Sequence, residues 1–246
     1  MARMRELKRQ VSDLLSALDS EEGLEPILAL DPHAATGPLF AALLHPDQLL
    51  RWRAVTALGA VTAALAGRRP EDARTVVRRF MWHMNEESGN IGWGIPEAMG
   101  EATARSPLLA GEYGRILCSY VHDFEGLADS TWIDHPPLRA GAYWGIARLA
   151  ETQPDIARAT VPDLLAGLAT GPHTPEPLAR ETDLAKAHIL MALAALRPPE
   201  AADAMAALAD STVPVTIYRN YRLHPTTLGE LAQAARTERG GENPLC

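Results

Sequence analysis

The chain has 246 residues and a formal net charge of -8, with 47% hydrophobic and 5% aromatic residues. That is ample apolar material for a continuous core, which excludes a disordered chain, and the acidic balance works against nucleic acid or an anionic membrane surface as a partner. Two cysteines, Cys118 and Cys246, are too few for a disulfide framework. The dominance of Ala and Leu over Val, Ile and aromatic residues predicts helices almost throughout.

The first stretch, MARMRELKRQVSDLL (1–15), passes directly into an amphipathic pattern without a signal-peptide core. No run reads as long enough to cross a membrane, so a cytoplasmic location is expected. Residues 1–38 read as a helical cap on a single domain that covers 1–246.

From residue 39 the chain repeats itself. RAVTALG (53–59), GIPEAMG (94–100) and RAGAYWG (139–145) each end in glycine, at intervals of roughly 40 to 45 residues. Each unit reads as a first helix, a polar or Pro-bearing turn, and a second helix. LFAALL is followed by HPDQ and LLRWRAVTALGAVTAAL; ARTVVRRFMWHM by NEESGNIG and WGIPEAMGEATA; YGRILCSYVH by DFEGLADSTWIDHPP and LRAGAYWGIARLAE; and TVPDLLAGLA by TGPHTPEP and LARETDLAKAHILMALAAL. Apolar residues recur at three- and four-residue spacing in the second helices, so each is expected to bury one face by stacking on its neighbours. Pro46, Pro96, Pro137 and Pro162 fall at helix starts, where a missing N–H costs nothing. Residues 197–246 read as a weak last repeat and a C-terminal cap, in which the β-branched and Tyr residues of STVPVTIYRNYRLHP (211–225) predict an extended segment over the end of the stack.

HPDQLLRWRAVTALGAV (45–61), and more loosely DHPPLRAGAYWGIARLA (134–150), resemble HEAT-like repeats of the phycobilisome-lyase and armadillo type. The resemblance implies an all-α, right-handed α-solenoid of about four to five helical pairs over residues 39–196. It further implies a ladder pairing Asp47 with Arg53 and Asp134 with Arg139, broken in the second unit, where Gly94 replaces the Arg. Such repeats serve scaffolds, bilin lyases, DNA-alkylation-repeat glycosylases and a di-iron hydroxylase, so the fold does not choose a function.

Residue inventory narrows the choice. No His is followed by Glu, G-x-S-x-G is absent, and GNIGWG has neither a preceding strand nor a following Lys-Ser or Lys-Thr. His83, Glu86, Glu87, His122, Asp134 and His135 lack metal-site spacing, so no metal or cofactor is expected. The arginines between Arg51 and Arg79 make the first units locally basic, and Trp93, Glu97 and Trp144 suit a glycosylase-like alternative.

The most unusual stretch is WHMNEESGNIGWGIPEAMGE (82–101), with two tryptophans, four glycines and four glutamates. Helical spacing puts Glu97 and Glu101 on one face, where like charges repel unless something positive offsets them. Glycines beside them permit close backbone approach. Trp82, Asn85, Glu86, Glu87, Trp93, Glu97, Glu101, Arg139, Trp144 and Arg148 are therefore the candidate residues of a groove centred on the second and third units. Its expected role is non-catalytic binding of another protein or peptide that carries a basic group, with aromatic anchors.

Overall fold

The computed structural model describes residues 2–85, 91–122, 131–169 and 181–237. The chain is mostly helical. Helices α1 (Ala2–Ala17), α2 (Glu25–Leu28) and α3 (Pro32–Ala42) lead to the long α4 (Gln48–Arg68), followed by α5 (Pro70–Met84), α6 (Ile95–Arg105) and α7 (Pro107–Ser119). Then come α8 (Pro136–Thr152), α9 (Pro154–Ala157), α10 (Val161–Leu168), α11 (Asp183–Leu196) and α12 (Ala202–Leu208), a hairpin of β1 (Pro214–Arg219) and β2 (Arg222–Thr227), and α13 (Leu228–Thr237).

Local chemistry sets these boundaries. Asp31, Asp47, Ser106 and Thr182 each accept a backbone N–H from the first turn of the following helix, at α3, α4, α7 and α11. Prolines open α3, α5, α6, α7, α8 and α10.

Helices α4, α6, α8, α11 and α13 form a row in which each packs on the next. The intervening α3 and α5 pack on α4, α7 on α6 and α8, α10 on α11, and α12 on α13. Glycine sets how closely the row is drawn together. A Cβ on Gly100 would lie 2.1 Å from the Cα of Gly145, and one on Gly59 would lie 2.5 Å from the Cβ of Glu101. The repeat glycines are thus the crossing points of α4, α6 and α8, where any side chain would force the helices apart.

Three sequence expectations need correction. The second helices do not have one buried face each: α8 is buried at every position from Arg139 to Ala147, because it lies between its row neighbours, α7 and the aromatic side chains described below. Helix α4 is long and apolar enough to cross a membrane by length and composition, yet 67% of that stretch is buried inside the protein.

The Asp–Arg ladder is also replaced. The Asp47 side chain caps α4, while Arg53 donates to the carbonyls of Leu15 and Ser16 and to that of Tyr221. The last carbonyls of α1 have no partner within their own helix, which makes them ready acceptors for a buried guanidinium. Arg139, in turn, pairs with Glu181 and donates to the Ile133 and Asp134 carbonyls.

The extended segment does form, as an antiparallel hairpin in which Arg219 pairs with Arg222 across the two-residue turn Asn220–Tyr221. Both turn residues have positive φ, 46° and 63°, as the tight turn matching strand twist requires. The hairpin reaches across the row. Tyr218 stacks on Trp52 of α4 with ring centroids 5.0 Å apart and planes 8° from parallel, its hydroxyl 3.1 Å from Thr56 Oγ1.

Candidate functional site

Gly94 caps α6 with φ +74°, a left-handed conformation that turns the chain sharply into the helix. Trp93 stands just before this turn, Glu97 in the first helical turn and Glu101 one turn later. The two carboxylates have opposite surroundings.

Glu101 is buried, accepting from Arg105 Nε at 2.6 Å and Arg148 Nε at 2.8 Å. Burial alone would push its carboxyl up, but the two guanidiniums outweigh burial and hold it below the usual range. Arg105 also bonds Glu21 and Arg148 also bonds Glu151, while the Tyr221 hydroxyl donates to Glu21. The hydrogen bond from Arg105, opposed by partial burial, lowers Glu21 to about 2. This network joins the segment before α2, helices α6 and α8, and the hairpin turn.

Glu97 has no such partner. Its carboxyl lies flat on α8 where Gly141 has no side chain, since a Cβ there would sit 2.5 Å from Glu97 Cδ. Oε2 is buried without a hydrogen-bond partner among the described residues. Desolvation, opposed only by Glu97's own backbone amide, raises the carboxyl to about 7.

Glu97 lines a cleft of about 690 Å³ with Leu43, Leu44, Arg51, Trp52, Val55, Trp93, Pro137, Ala140, Thr182 and Leu184, among others. The cleft lies where α4, α6, α8 and α11 begin. Its size falls within the 300–1,000 Å³ typical of ligand sites. The space beneath the hairpin beside Glu101, about 120 Å³, and an apolar pocket of about 230 Å³ around Leu28 and Val61 are smaller. Arg51 does not neutralise Glu97, since its guanidinium donates to the carbonyls of His45 and Pro46.

The structure thus divides the residues expected to share one groove. Trp93, 41% exposed and edge-on to His135 at 5.4 Å, stays with Glu97 at the cleft. Trp82 is exposed near the end of α5, and Asn85 ends that helix. Trp144 is no exposed anchor: it is buried, 5.0 Å from Trp52 and 6.4 Å from Tyr218. Arg139 is fully buried against Glu181, and Arg148 serves Glu101 and Glu151. Glu86 and Glu87 lie outside the described residues. Among the described residues, no group of three or more His, Cys, Asp or Glu side chains is placed to hold a metal.

Sequence reasoning missed Trp52, Leu43, Thr182 and Leu184 as cleft residues. A signal for Trp52 was present: it stands seven residues before Gly59, as Trp93 stands seven before Gly100. The repeat register aligns the two indoles, with Trp52 inside α4 and Trp93 just before α6.

Fold and site together define a mainly helical protein with a ligand-sized, largely apolar cleft whose wall includes Glu97, a carboxyl with one buried oxygen unpartnered among the described residues. No family model matches the chain, and no solved structure matches it. An archaeal protein from Archaeoglobus fulgidus, described only as uncharacterized, is 31% identical over 87 residues, which are 35% of this chain and 44% of that protein. The match therefore spans less than half the length of this relative.

Proposed function

We propose that the chain is a HEAT-like, right-handed α-solenoid that acts as a non-catalytic recognition module, binding a segment of another protein in the cleft formed by α4, α6, α8 and α11. One observation carries this reading: Glu97 Oε2 is buried, and unpartnered among the described residues, at the wall of a ligand-sized apolar cleft. Buried polar groups are nearly always paired in folded proteins, so an orphaned acceptor here fits a site whose donor arrives with the partner.

The surface around it supports the same reading. Leu44 and Trp93 line the cleft and are among the most exposed large apolar residues, with Ile91 two positions before Trp93. Contiguous exposed apolar surface beside a polar anchor is the usual mark of an interaction site. The basic run at the start of α5 gives less support to a nucleic-acid partner. Arg69 pairs with Asp72, Arg74 pairs with Glu71 and Glu112, and Arg79 lies over the Phe40 ring.

Capture from lysate of the native host, with a photo-crosslinking residue at position 44, tests the proposal. The expected outcome is a partner peptide crosslinked to the wild type and lost in Trp93→Ala and Glu97→Lys, both with unchanged helicity. Removing an aromatic anchor costs roughly 2 kcal/mol, about a thirtyfold loss of affinity. Identical capture by all three proteins would reject the cleft as the binding site.

A further inference from the structure

Resting on the cleft as the binding site, the geometry points to its occupant: we infer that the cleft takes the aliphatic ammonium side chain of a partner lysine, its charge against Glu97 and its stem along the apolar walls.

Three observations select this chemistry. First, the acceptor is a carboxyl laid flat against the Gly141 backbone, and its Oε2 is buried with no hydrogen-bond partner among the described residues. A guanidinium presents a planar fork that pairs best with both oxygens of a carboxylate held edge-on, whereas an ammonium is a compact point charge that bonds one oxygen from any direction. Second, the walls suit a methylene stem. Leu43, Val55, Pro137 and Ala140 offer apolar surface, over which long cationic side chains lay their alkyl portion while the charge finds a polar terminus. Third, the Trp93 indole, 41% exposed, borders the same space, and an aromatic face attracts a partly desolvated cation.

Charge balance agrees. An unpaired carboxylate in this setting is costly, and an arriving ammonium removes that cost by taking the place of the proton. Other charged and titratable groups around the cleft are already engaged. Arg51 of α4 is held on two carbonyls, His135 at the start of α8 lies against Trp93, Arg139 of α8 is paired with Glu181, and His188 of α11 is bonded through Nδ1 to the Ala140 carbonyl. Glu97 is the group that must lose a proton for the pair to form. Because its carboxyl titrates at about 7, lysine binding should strengthen about tenfold from pH 6 to pH 8.

The test uses the full chain labelled with nitrogen-15, following the indole N–H signals of Trp52 and Trp93 during titration with N-acetyl-lysine methylamide. Parallel titrations use the arginine and norleucine analogues. The expected result is a shift of both indoles by the lysine probe, at least tenfold weaker binding of the arginine probe, and no saturable binding of the neutral one. Affinity should rise from pH 6 to pH 8 in the wild type, and both the binding and its pH dependence should vanish in Glu97→Gln. Equal binding of the arginine or norleucine probe, or a flat pH profile, would overturn the lysine assignment. Failure of all three probes together with a crosslinked partner at position 44 would also overturn it while leaving the cleft reading intact. Failure of the probes and of capture would reject both.

Discussion

Glu97, whose Oε2 is buried, and the buried His188 show how two desolvated titratable side chains can oppose each other. The Glu97 carboxyl is raised by burial from 4.5 to about 7. Its neutral form therefore favours the folded state, and that contribution is complete below about pH 4.5 and lost as pH rises through about 7. His188 is driven by burial from 6.5 to about 4, even though its bond to the Ala140 carbonyl favours the charged ring. Its contribution is present above about pH 6.5 and lost as pH falls through about 4. Between these limits the slopes cancel in part. Glu97→Gln removes the first while preserving shape, so its urea midpoint relative to wild type should increase from pH 5 to pH 8. Parallel midpoints at the two pH values would mean that Glu97 ionises normally.

Elements in this protein are positioned by what is missing as much as by what is present. Gly100 and Gly145 let α6 and α8 meet backbone to backbone. Gly100→Ala gains about 1 kcal/mol in helix propensity. The added methyl cannot be accommodated without parting the helices, and such overpacking costs 1–3 kcal/mol or more. The net expectation is a loss of up to about 2 kcal/mol in unfolding free energy, measured by urea denaturation, whereas Gly111→Ala, whose Cβ would meet nothing within 4 Å, should be neutral or stabilising. The repeat glycines were legible in the sequence as periodic marks. That they are contact points became clear only when their helices were seen to cross there.

For the whole molecule, the decisive element is the hairpin. It brings Tyr218 onto Trp52 and Tyr221 onto the Glu21 carboxylate, so residues 200 positions apart close one ionic network. Glu101 is the centre of that network, with one guanidinium on each carboxylate oxygen. Glu101→Gln leaves both arginines facing a neutral amide. Breaking a buried pair typically costs 3–5 kcal/mol, and because both arginines are partly exposed and keep a second carboxylate, about 2–3 kcal/mol is expected. The same substitution should leave lysine-probe binding at the cleft within about twofold, since Glu101 does not line it. A loss of probe binding without loss of stability would place Glu101 in the site after all.

Local chemistry was enough to determine much of this protein. Helix-forming composition, prolines at helix starts and capping residues such as Asp47 and Thr182 act within a few residues of where they stand, and the sequence carries them in full. Trp93 and Glu97 could likewise be singled out, because their glycine-marked helix start is itself local. The fates of Glu101, Arg139, Trp144 and Arg148 could not. A carboxylate one helical turn after another carries no record of which guanidinium will reach it from a different helix, and an indole looks the same before and after a distant hairpin covers it. Tertiary packing decided which of two neighbouring glutamates became a buried ion pair and which remained an unpartnered acceptor, because desolvation and charge pairing depend on neighbours brought together only by folding.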